Sequence, residues 1–560
     1  MCVQTRRKVN HVTVRHERRG RQRTSNLQQR LQALLPTITR LREATGAASV
    51  SFGVIHNGQV VLQAADGWRD AVKKAPADVD TAYVIGSTMK AMMASCCGML
   101  VHEGKMSWND KLSDHLPFHT LSDPVVGHRA TVHDALSHTT GLAQLDLSWY
   151  GASGKSLVDP RDLLHVVAHL PVAAEFHCEW SYCNYMYVIM ARIIDKVGGC
   201  KDWASFLTQR LLEPLEMRRI RLSRHEFTDD NVAEPHYVKD DGTPGALPRP
   251  DLSPDTLMGP AGCLWSTVPD MLKWVQAVLT SIDIRRAAQG DAETAGVLKE
   301  MGTITAHQTQ LAHHGLSENT YGYSWARLSM PPPPPPPMYG FMSTNGANER
   351  PILGQDSPRR LMLYHGGQVT GYLTTLCIFP ETQSAIIVLS NSQALGDASD
   401  WTARAIMQEL FQLRPALDLD GMAEAKAKES LGIYRRLADD YRNHSSPERS
   451  TANLTDKFGL YRNKGLKLYL EIRPTSRKDK AGEFLLNGMQ TQLHYLEHFG
   501  ESTFGFLPGS REEQESGCMV DYVIYEQFLL TFKPDKDGRF RSLEWVMQPG
   551  LEAIIFMRDR

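Results

Sequence analysis

The 560-residue chain lacks several features that would assign it to a class of protein at once. No apolar run reaches the 18 or so residues that a membrane-spanning helix needs, so we expect no membrane partner. The nine cysteines form no C-x-x-C pair, which argues against a disulfide framework and fits a reducing compartment. A formal net charge of −2 gives no electrostatic reason to bind nucleic acid. These absences leave a soluble, multi-domain protein, which we expect to be cytoplasmic.

Two segments have a biased composition. Residues 1–25 carry eight lysines and arginines against one acid, Glu17, and no apolar segment follows them as in a secretory signal. We interpret them as a disordered basic tail, with a mitochondrial presequence as the alternative. Seven consecutive prolines, Pro331 to Pro337, are typical of a stiff polyproline II segment. They lie in a predicted loop insertion over residues 329–360.

The periodicity of the apolar residues predicts a split α+β domain over residues 26–414. Apolar residues at helical spacing over 26–43 precede two strand-like runs that are separated by Asn57-Gly58, the signature of a β-hairpin. Mostly helical sequence then fills 87–310. Further strand patterns return at 321–328, 361–364, 372–379 and 385–390, before a closing helix at 402–413. One antiparallel sheet built from both ends of this segment, flanked by helices and a helical subdomain, fits the order.

The pattern changes after this domain. Residues 415–430 are rich in Ala, Lys and Glu, which indicates a linker or a short helix. From 431 to 560 short alternating runs are separated by turns such as Pro534-Asp535-Lys536-Asp537-Gly538. This spacing predicts a small all-β C-terminal domain, an antiparallel sandwich or barrel, which we interpret as accessory because it holds no catalytic cluster.

The residues that point to chemistry begin with an S-x-x-K motif. Ser87 opens an apolar helical run, and Lys90 lies three residues later over the same face. A serine hydroxyl needs a neighbouring base, and a lysine can serve if burial lowers its pKa towards neutrality. The start of a helix also places backbone N–H groups where an acyl oxyanion would form. Alone the motif is weak, because a chain of this length offers it by chance.

Two further motifs make the pattern specific. Tyr182-Cys183-Asn184 precedes a second apolar helical run, and His365-Gly366-Gly367 lies between strand-like runs. In this order and spacing, the three motifs resemble the penicillin-recognising serine hydrolases, which include serine β-lactamases, DD-peptidases, D-aminopeptidases, esterases and fungal acyltransferases. The resemblance spans about 27–413. It is supported by four family-like segments, at 131–142, 213–217, 260–267 and 321–325.

The resemblance implies a role for each motif residue. Ser87 would be the nucleophile, and Lys90 the base that activates it. Tyr182, partly ionised or hydrogen-bonded to Lys90, would pass a proton to the leaving group. Asn184 would orient Lys90 and the acyl side chain.

The third motif would supply the other wall of the site. His365 would occupy the strand position held by lysine in many β-lactamases and face Tyr182. Gly366 and Gly367 would let the backbone approach the substrate. The N–H of Gln368 would complete an oxyanion hole with that of Ser87. The expected reaction is ping-pong acyl transfer through an acyl-Ser87 intermediate, with no cofactor.

The sequence also departs from the antibiotic-hydrolysing pattern. No lysine or arginine follows His365 to hold a substrate carboxylate, so a true β-lactamase or DD-peptidase is the less favoured enzyme. We expect esters, thioesters or amides of a small-molecule acyl donor, with water, an acyl acceptor or a carrier-bound substrate as partner. Fungal secondary metabolism is the suggested setting. A non-catalytic scaffold that kept the fold is the alternative outside enzymes.

We predict no metal site. His128, His133 and His138 are spaced by five residues and so do not share one helix face.

Overall fold

The computed structural model describes residues 26–283, 296–311, 318–331, 343, 345, 352–446 and 454–559. The basic tail at 1–25 and the proline run after Pro331 lie outside these residues. The loop insertion at 329–360 is described only in part.

The N-terminal part of the chain, residues 26–414, which the sequence predicts to be catalytic and which we call the catalytic part, is built around one nine-stranded antiparallel sheet. Its strands, in chain order, are β1 (Ser49–His56), β2 (Gln59–Asp70), β3 (Ala75–Pro76), β4 (Thr309–Gln310), β5 (Asn319–Tyr321), β6 (Ala326–Met330), β7 (Arg360–Val369), β8 (Tyr372–Phe379) and β9 (Ser384–Ser390). They lie in the order β4-β5-β6-β7-β8-β9-β1-β2-β3. The N-terminal hairpin thus pairs with β9 from the far end of the domain, which confirms the split α+β prediction.

Helices cover both faces of this sheet. Those of eleven residues or more are α1 (Leu35–Thr45), α2 (Met89–His102), α3 (Asn184–Val197), α4 (Val268–Ser281), α5 (Ala398–Leu410), α6 (Leu419–Leu431) and α7 (Ile433–His444). The short ones are Leu112–His115, Pro124–Arg129, Val132–Ser137, Leu163–Ala168, Trp203–Leu207, Gly259–Gly262, Met301–Ile304 and Arg511–Ser516. Within the described ranges, none of these helices combines the length and the apolar character needed to cross a bilayer.

Small strand pairs join the loops of the helical subdomain. They are Tyr83–Val84 with Trp265–Ser266, Tyr150–Gly151 with Lys155–Ser156, and a three-stranded group of His236–Val238, Pro244–Ala246 and Ser392–Gln393.

The N-terminal hairpin follows from its sequence. Asn57 and Gly58 have φ angles of 51° and 71°, the left-handed pair that a tight two-residue turn requires. On β1, Val50, Phe52 and Val54 are fully buried and pack in the layer under α1 and α5. The turn chemistry and the apolar alternation therefore specify the same register.

Some elements differ from the sequence-based expectation. The predicted helix over 26–43 divides, because Pro36 at the start of α1 cannot continue the preceding helical turn. The expected strand at 321–328 is a hairpin of β5 and β6, turned at Ser324 with φ 65°.

Of the two alternatives for 415–430, a linker or a short helix, the structure shows the helix α6 over most of the segment, with Leu419, Ala423 and Ala427 buried. Residues 433–444 of the predicted β domain form α7, whose Leu437, Ala438 and Tyr441 are buried. Strands begin only at Gly459, because Ala, Lys and Glu are strong helix formers and this stretch also offers an apolar face.

The C-terminal domain is a closed barrel of eight antiparallel strands. They are β10 (Gly459–Asn463), β11 (Leu468–Arg473), β12 (Gly482–Leu486), β13 (Leu493–Gly500), β14 (Thr503–Gly505), β15 (Leu529–Pro534), β16 (Phe540–Trp545) and β17 (Ile554–Arg558). Closure occurs where Tyr461 of β10 pairs with Arg558 of β17. Buried aromatic side chains, Phe484, Phe504, Phe532, Trp545 and Phe556, fill the interior. The prediction of a small all-β domain is confirmed.

The barrel is attached to the catalytic part through amide side chains. Gln492 donates to the Ala152 carbonyl at 2.6 Å, and Asn487 to the Leu157 carbonyl at 2.8 Å. Gln548 accepts from the Leu145 N–H at 2.7 Å. These bonds fix backbone segments next to the pocket described below, so the barrel is positioned to support it.

We predict that Gln492→Ala destabilises this junction. Gln492 is only 1% exposed, so its loss leaves the Ala152 carbonyl buried without its donor, at a cost of about 1–3 kcal/mol. Urea unfolding followed by circular dichroism should show the loss. The matched control is Gln490→Ala, because Gln490 is exposed on the same short turn. Equal midpoints for the two variants would contradict the assignment.

Candidate active site

Ser87 lies on a tight turn that leads into α2. Gly86, Ser87 and Thr88 form one 3-10 turn, and Gly86 has φ 53°, which favours glycine. The N–H of Ile85 donates to the Leu264 carbonyl at 2.9 Å, which ties the turn to the helical subdomain. The serine side chain is half-buried and faces a cavity.

Lys90 is buried directly beneath the serine. Its Nζ lies 2.9 Å from Ser87 Oγ and donates to the Ala261 carbonyl at 2.8 Å. Burial lowers the pKa of Lys90 to about 7, although Asp146 opposes the change through its charge. A substantial fraction of this amine is therefore neutral at physiological pH and able to accept the serine proton.

Tyr182 closes the other side of the serine. Its ring lies over Lys90, with Nζ 5.3 Å from the ring centroid. Burial raises the pKa of Tyr182 well above its usual value, while the Ser87 hydroxyl opposes the rise. The sequence led us to expect a partly ionised phenol, or one that is hydrogen-bonded to Lys90. Instead, the phenol is neutral, and its hydroxyl has no hydrogen-bond partner of acceptable geometry among the described residues. A neutral phenol is suited to donate a proton.

The loop that carries Tyr182 is held by His138, a residue we did not single out as functional. The His138 carbonyl accepts from the Ser181 N–H at 2.8 Å, and its Nδ1 accepts from the Cys183 N–H at 3.1 Å. The ring centroids of His138 and Tyr182 are 4.2 Å apart. Because burial and the nearby Lys90 lower the pKa of His138, the ring is neutral. The family-like segment at 131–142 was the available sequence signal.

Asn184 is the first residue of α3 and contacts an acid that sequence reasoning missed. Its Nδ2 donates to Asp146 Oδ1 at 3.2 Å, and Trp149 Nε1 donates to the same oxygen at 2.8 Å. Gln144 donates to the other carboxylate oxygen of Asp146. Asn184 therefore orients Asp146, whose charge acts on Lys90, instead of reaching Lys90 by a hydrogen bond of its own.

The third motif lies on β7 against the Ser87 turn. β7 pairs with β6 only as far as Tyr364. The residues of β7 that follow have no partner on β6, which leaves that edge of β7 open to the Ser87 turn. A Cβ on Gly367 would lie 2.1 Å from the Ile85 carbonyl oxygen, and a Cβ on Gly86 would lie 3.0 Å from the Gln368 nitrogen. Gly366 pairs with Thr375 of β8. The Gln368 nitrogen thus lies against the turn that carries Ser87, and its part in an oxyanion hole stays a prediction.

His365 has a different setting from the one expected. Its Nδ1 lies 2.6 Å from the Gly366 carbonyl and its Nε2 lies 3.0 Å from the Tyr321 hydroxyl. Burial and the charge of Lys90 lower the pKa of His365 to about 3, so the ring is neutral. A carbonyl only accepts, so Nδ1 carries the proton and Nε2 accepts from Tyr321. Its hydrogen bonds therefore go to Tyr321 and not to Tyr182, which it was expected to face.

A cavity of about 410 Å³ opens over Ser87. It is lined by residues from the catalytic part, which include Ser87, Asp146, Trp149, Tyr150, Trp180, Tyr182, Asn184 and Gln368. Val520 and Asp521 of the barrel domain complete the wall. The cavity therefore brings together residues of the first two motifs, Gln368 directly after the third motif, and the C-terminal domain.

A separate group, His133, Asp134 and His177, has potential metal-ligand atoms within 4.8 Å of one another. Asp134 already caps the Val132–Ser137 helix through Thr131, and its Oδ1 accepts from Thr139 at 3.0 Å and lies 2.7 Å from His177 Nδ1. Since both carboxylate oxygens have protein partners, we interpret this group as a structural network. His128 and His138 are not part of it.

Comparison with known proteins agrees with this arrangement. The Beta-lactamase family model matches residues 34–409, and the chain belongs to that family. An unguisins hydrolase of Aspergillus campestris, ungD', is 26% identical over 211 residues, which cover 36% of this chain and 38% of that protein. The chain spans about half the length, or less, of the curated relatives it matches.

Two solved structures share the fold. The octameric penicillin-binding protein homologue from Pyrococcus abyssi aligns with a TM-score of 0.53 and 17% identity, over 95% of this chain and 98% of that one. EstCE1, titled a hydrolase with promiscuous acyltransferase activity, aligns with a TM-score of 0.53 and 16% identity, over 69% of this chain and 99% of that one. The β-lactamase-like fold is therefore established, and the chain is a member of a hydrolase family.

The pKa of Lys90 predicts the pH dependence of a reaction in which this amine acts as the base. Because the folded pKa is lowered to about 7, the amine is neutral above pH 7 and charged below it. We expect kcat/KM to fall about tenfold per pH unit below an inflection near 7. A pH–rate profile tests this. His365→Gln should keep the inflection, since His365 titrates near 3, and its disappearance in that variant would contradict the assignment.

Gly367→Ala should impair the oxyanion side of the site. The new Cβ would overlap the Ile85 carbonyl, so β7 must move away from the Ser87 turn and take the Gln368 N–H with it. We expect a loss in kcat of roughly 10²–10³-fold, the usual effect of losing one oxyanion donor. Gly302→Ala is the matched control, because a Cβ there meets open space. Near-wild-type kcat for Gly367→Ala would exclude this role.

Proposed function

We propose that the protein is a serine hydrolase or acyltransferase that cleaves ester, thioester or amide bonds through an acyl-Ser87 intermediate. The observation that carries the proposal is the distance of 2.9 Å between Ser87 Oγ and a fully buried Lys90 amine whose pKa is lowered to about 7. A nucleophile beside a largely neutral base, at the floor of a cavity of about 410 Å³, is the arrangement that covalent acyl transfer needs.

The proposed reaction has two halves. In the first, Lys90 Nζ takes the Ser87 proton while Oγ attacks the substrate carbonyl, and the N–H groups of Ser87 and Gln368 stabilise the oxyanion. The Tyr182 hydroxyl gives its proton to the leaving group and recovers one from the Lys90 ammonium. In the second half, water or an acceptor loses its proton through the same groups and releases the acyl chain from Ser87.

The names of the relatives support both outcomes. The related ungD' is called a hydrolase, and EstCE1 is titled a hydrolase with acyltransferase activity. The proposed hydrolase and the proposed acyltransferase therefore differ only in the group that attacks the acyl-enzyme, which is water in the first and another nucleophile in the second. We propose a small-molecule acyl donor, with an alcohol, an amine or a carrier-bound group as the alternative acceptor. The Aspergillus relative favours a setting in fungal secondary metabolism.

Two other functions are less well supported. A β-lactamase or DD-peptidase would need a cation for the substrate carboxylate. No lysine or arginine is among the described residues that line the cavity. A scaffold that only kept the fold would have no need for a lysine buried at energetic cost beside a serine.

Covalent labelling tests the proposal. A fluorophosphonate should add one label to the wild type, seen by intact-mass spectrometry, and none to Ser87→Ala. Lys90→Ala should reduce turnover of p-nitrophenyl esters and thioesters by roughly 10³-fold or more, as when a nucleophile's activator is removed. Ser95→Ala is the matched control, because Ser95 lies on α2 and bonds only the Ala91 carbonyl and Met301 Sδ.

Turnover of the same esters with and without alcohols or amines separates hydrolysis from transfer. Labelling that persists in Ser87→Ala would contradict the acyl-Ser87 intermediate. Wild-type protein that neither labels nor turns over any ester would favour the scaffold.

A further inference from the structure

The barrel domain contributes one acidic side chain to the wall of the active-site cavity. Asp521 lies on the loop between the short helix Arg511–Ser516 and β15, and with Val520 it lines the same cavity as Ser87. This residue lies beyond the 34–409 region matched by the family model. The cavity wall therefore includes a residue that lies outside the three motifs and outside the region matched by the family model.

The loop is held rigidly from below. Gln514, 9% exposed, donates to the carbonyls of Met519 and Tyr522 at 3.1 and 3.0 Å. Gln527, 1% exposed, donates to the Asp521 carbonyl at 3.2 Å. Fixed backbone on both sides means that the position of the Asp521 side chain is preorganised and does not depend on a flexible loop.

The loop is also tied to the catalytic part. The Gly517 carbonyl accepts from the Ser153 N–H at 2.8 Å, close to Tyr150 in the cavity wall. Asp521 is close enough to Tyr150 for its charge to raise the pKa of that phenol. It is also close enough to Asp146 for the two carboxylates to repel each other.

The Asp521 carboxylate has no partner of its own in the described part of the chain, where no hydrogen bond or ion pair involves it. This distinguishes it from Asp146, whose oxygens accept from Trp149, Asn184 and Gln144. The Asp521 side chain is exposed to solvent at the edge of this cavity. The nearby charge of Asp146 disfavours a second negative charge at Asp521, so a cation beside Asp521 would stabilise its charged form.

The remaining wall suits a cation as well. Trp149, Tyr150 and Trp180 line the cavity, and the faces of such rings attract ammonium groups. Since no lysine or arginine is among the described lining residues, nothing there competes for the carboxylate. An unpaired carboxylate beside aromatic rings, over a nucleophile, selects for positive charge.

We propose that Asp521 binds an ammonium group of the substrate, placed near the scissile bond on either the acyl group or the leaving group. The proposal rests on the function proposed above and names its substrate class as cationic. It assigns to the barrel domain the recognition of that charge, while the reacting atoms remain on the catalytic part.

Pairs of isosteric esters that differ only in charge test the proposal. In the acyl arm, alanine ethyl ester of each hand is compared with ethyl 2-methylpropanoate, in which a methyl group replaces the ammonium group. In the leaving-group arm, propanoylcholine is compared with 3,3-dimethylbutyl propanoate. For at least one arm, the ratio of kcat/KM values, charged over neutral, should be roughly tenfold or more in the wild type, a modest value because the carboxylate is water-accessible.

Substitution at Asp521 should change that ratio. Asp521→Asn should bring it close to one, and Asp521→Lys should bring it below one. The matched control is Asp537→Asn, an exposed aspartate on another barrel turn, which should keep the wild-type ratio. A wild-type ratio near one in both arms, or a ratio unchanged in Asp521→Asn, would overturn the proposal even if the enzyme is fully active.

A binding measurement keeps this test independent of turnover. Calorimetry on Ser87→Ala should detect tighter binding of alaninamide or choline than of their neutral isosteres, 2-methylpropanamide and 3,3-dimethylbutanol. The difference should vanish when Asp521→Asn is added. If this binding is present while no ester is turned over, the acyl-enzyme proposal fails and the ammonium site stands. Equal binding of charged and neutral compounds overturns the ammonium site.

Discussion

The arrangement of the site depends on the burial of one lysine amine, that of Lys90, away from water. Lys90 is fully buried, and the free-energy cost of burying its charge lowers its pKa to about 7. A solvated lysine at the same distance from Ser87 would stay protonated and could not act as a base. The surrounding apolar side chains of α2 and α3 are therefore part of the chemistry, because they exclude the solvent that would stabilise the ammonium.

A layer of neutral polar groups surrounds this amine. His138 and His365 have lowered pKa values, Tyr182 and Tyr321 have raised ones, and burial is the main cause for each. None of these four groups therefore adds a charge beside Lys90. Asp146 supplies the nearby negative charge, which three hydrogen-bond donors hold in place. Lys90 is thus the group that titrates near neutral pH, while these four groups stay neutral there.

The C-terminal barrel extends this arrangement. It anchors the Leu145 N–H through Gln548, one residue before Asp146, and it contributes Asp521 to the cavity wall. The family fold supplies the reacting groups, and the added domain borders the space where a substrate would lie.

The sequence by itself determined the elements whose information is local. Asn57-Gly58 specified the hairpin through its left-handed turn, and the apolar spacing after Ser87 and Tyr182 located α2 and α3. The spacing of Ser87 and Lys90 on one helical face also predicted their contact, because a helix fixes the relative position of residues three apart.

Only the tertiary structure decided what depends on contacts between distant segments. The partner of His365 became Tyr321, Asp146 joined the site from a loop without a motif, and Asp521 entered it from another domain. The helix at 433–444 replaced expected strand structure because its buried face found partners that sequence alone does not name. Hydrogen bonds, burial and pKa values arise from such packing, and packing is a property of the folded chain.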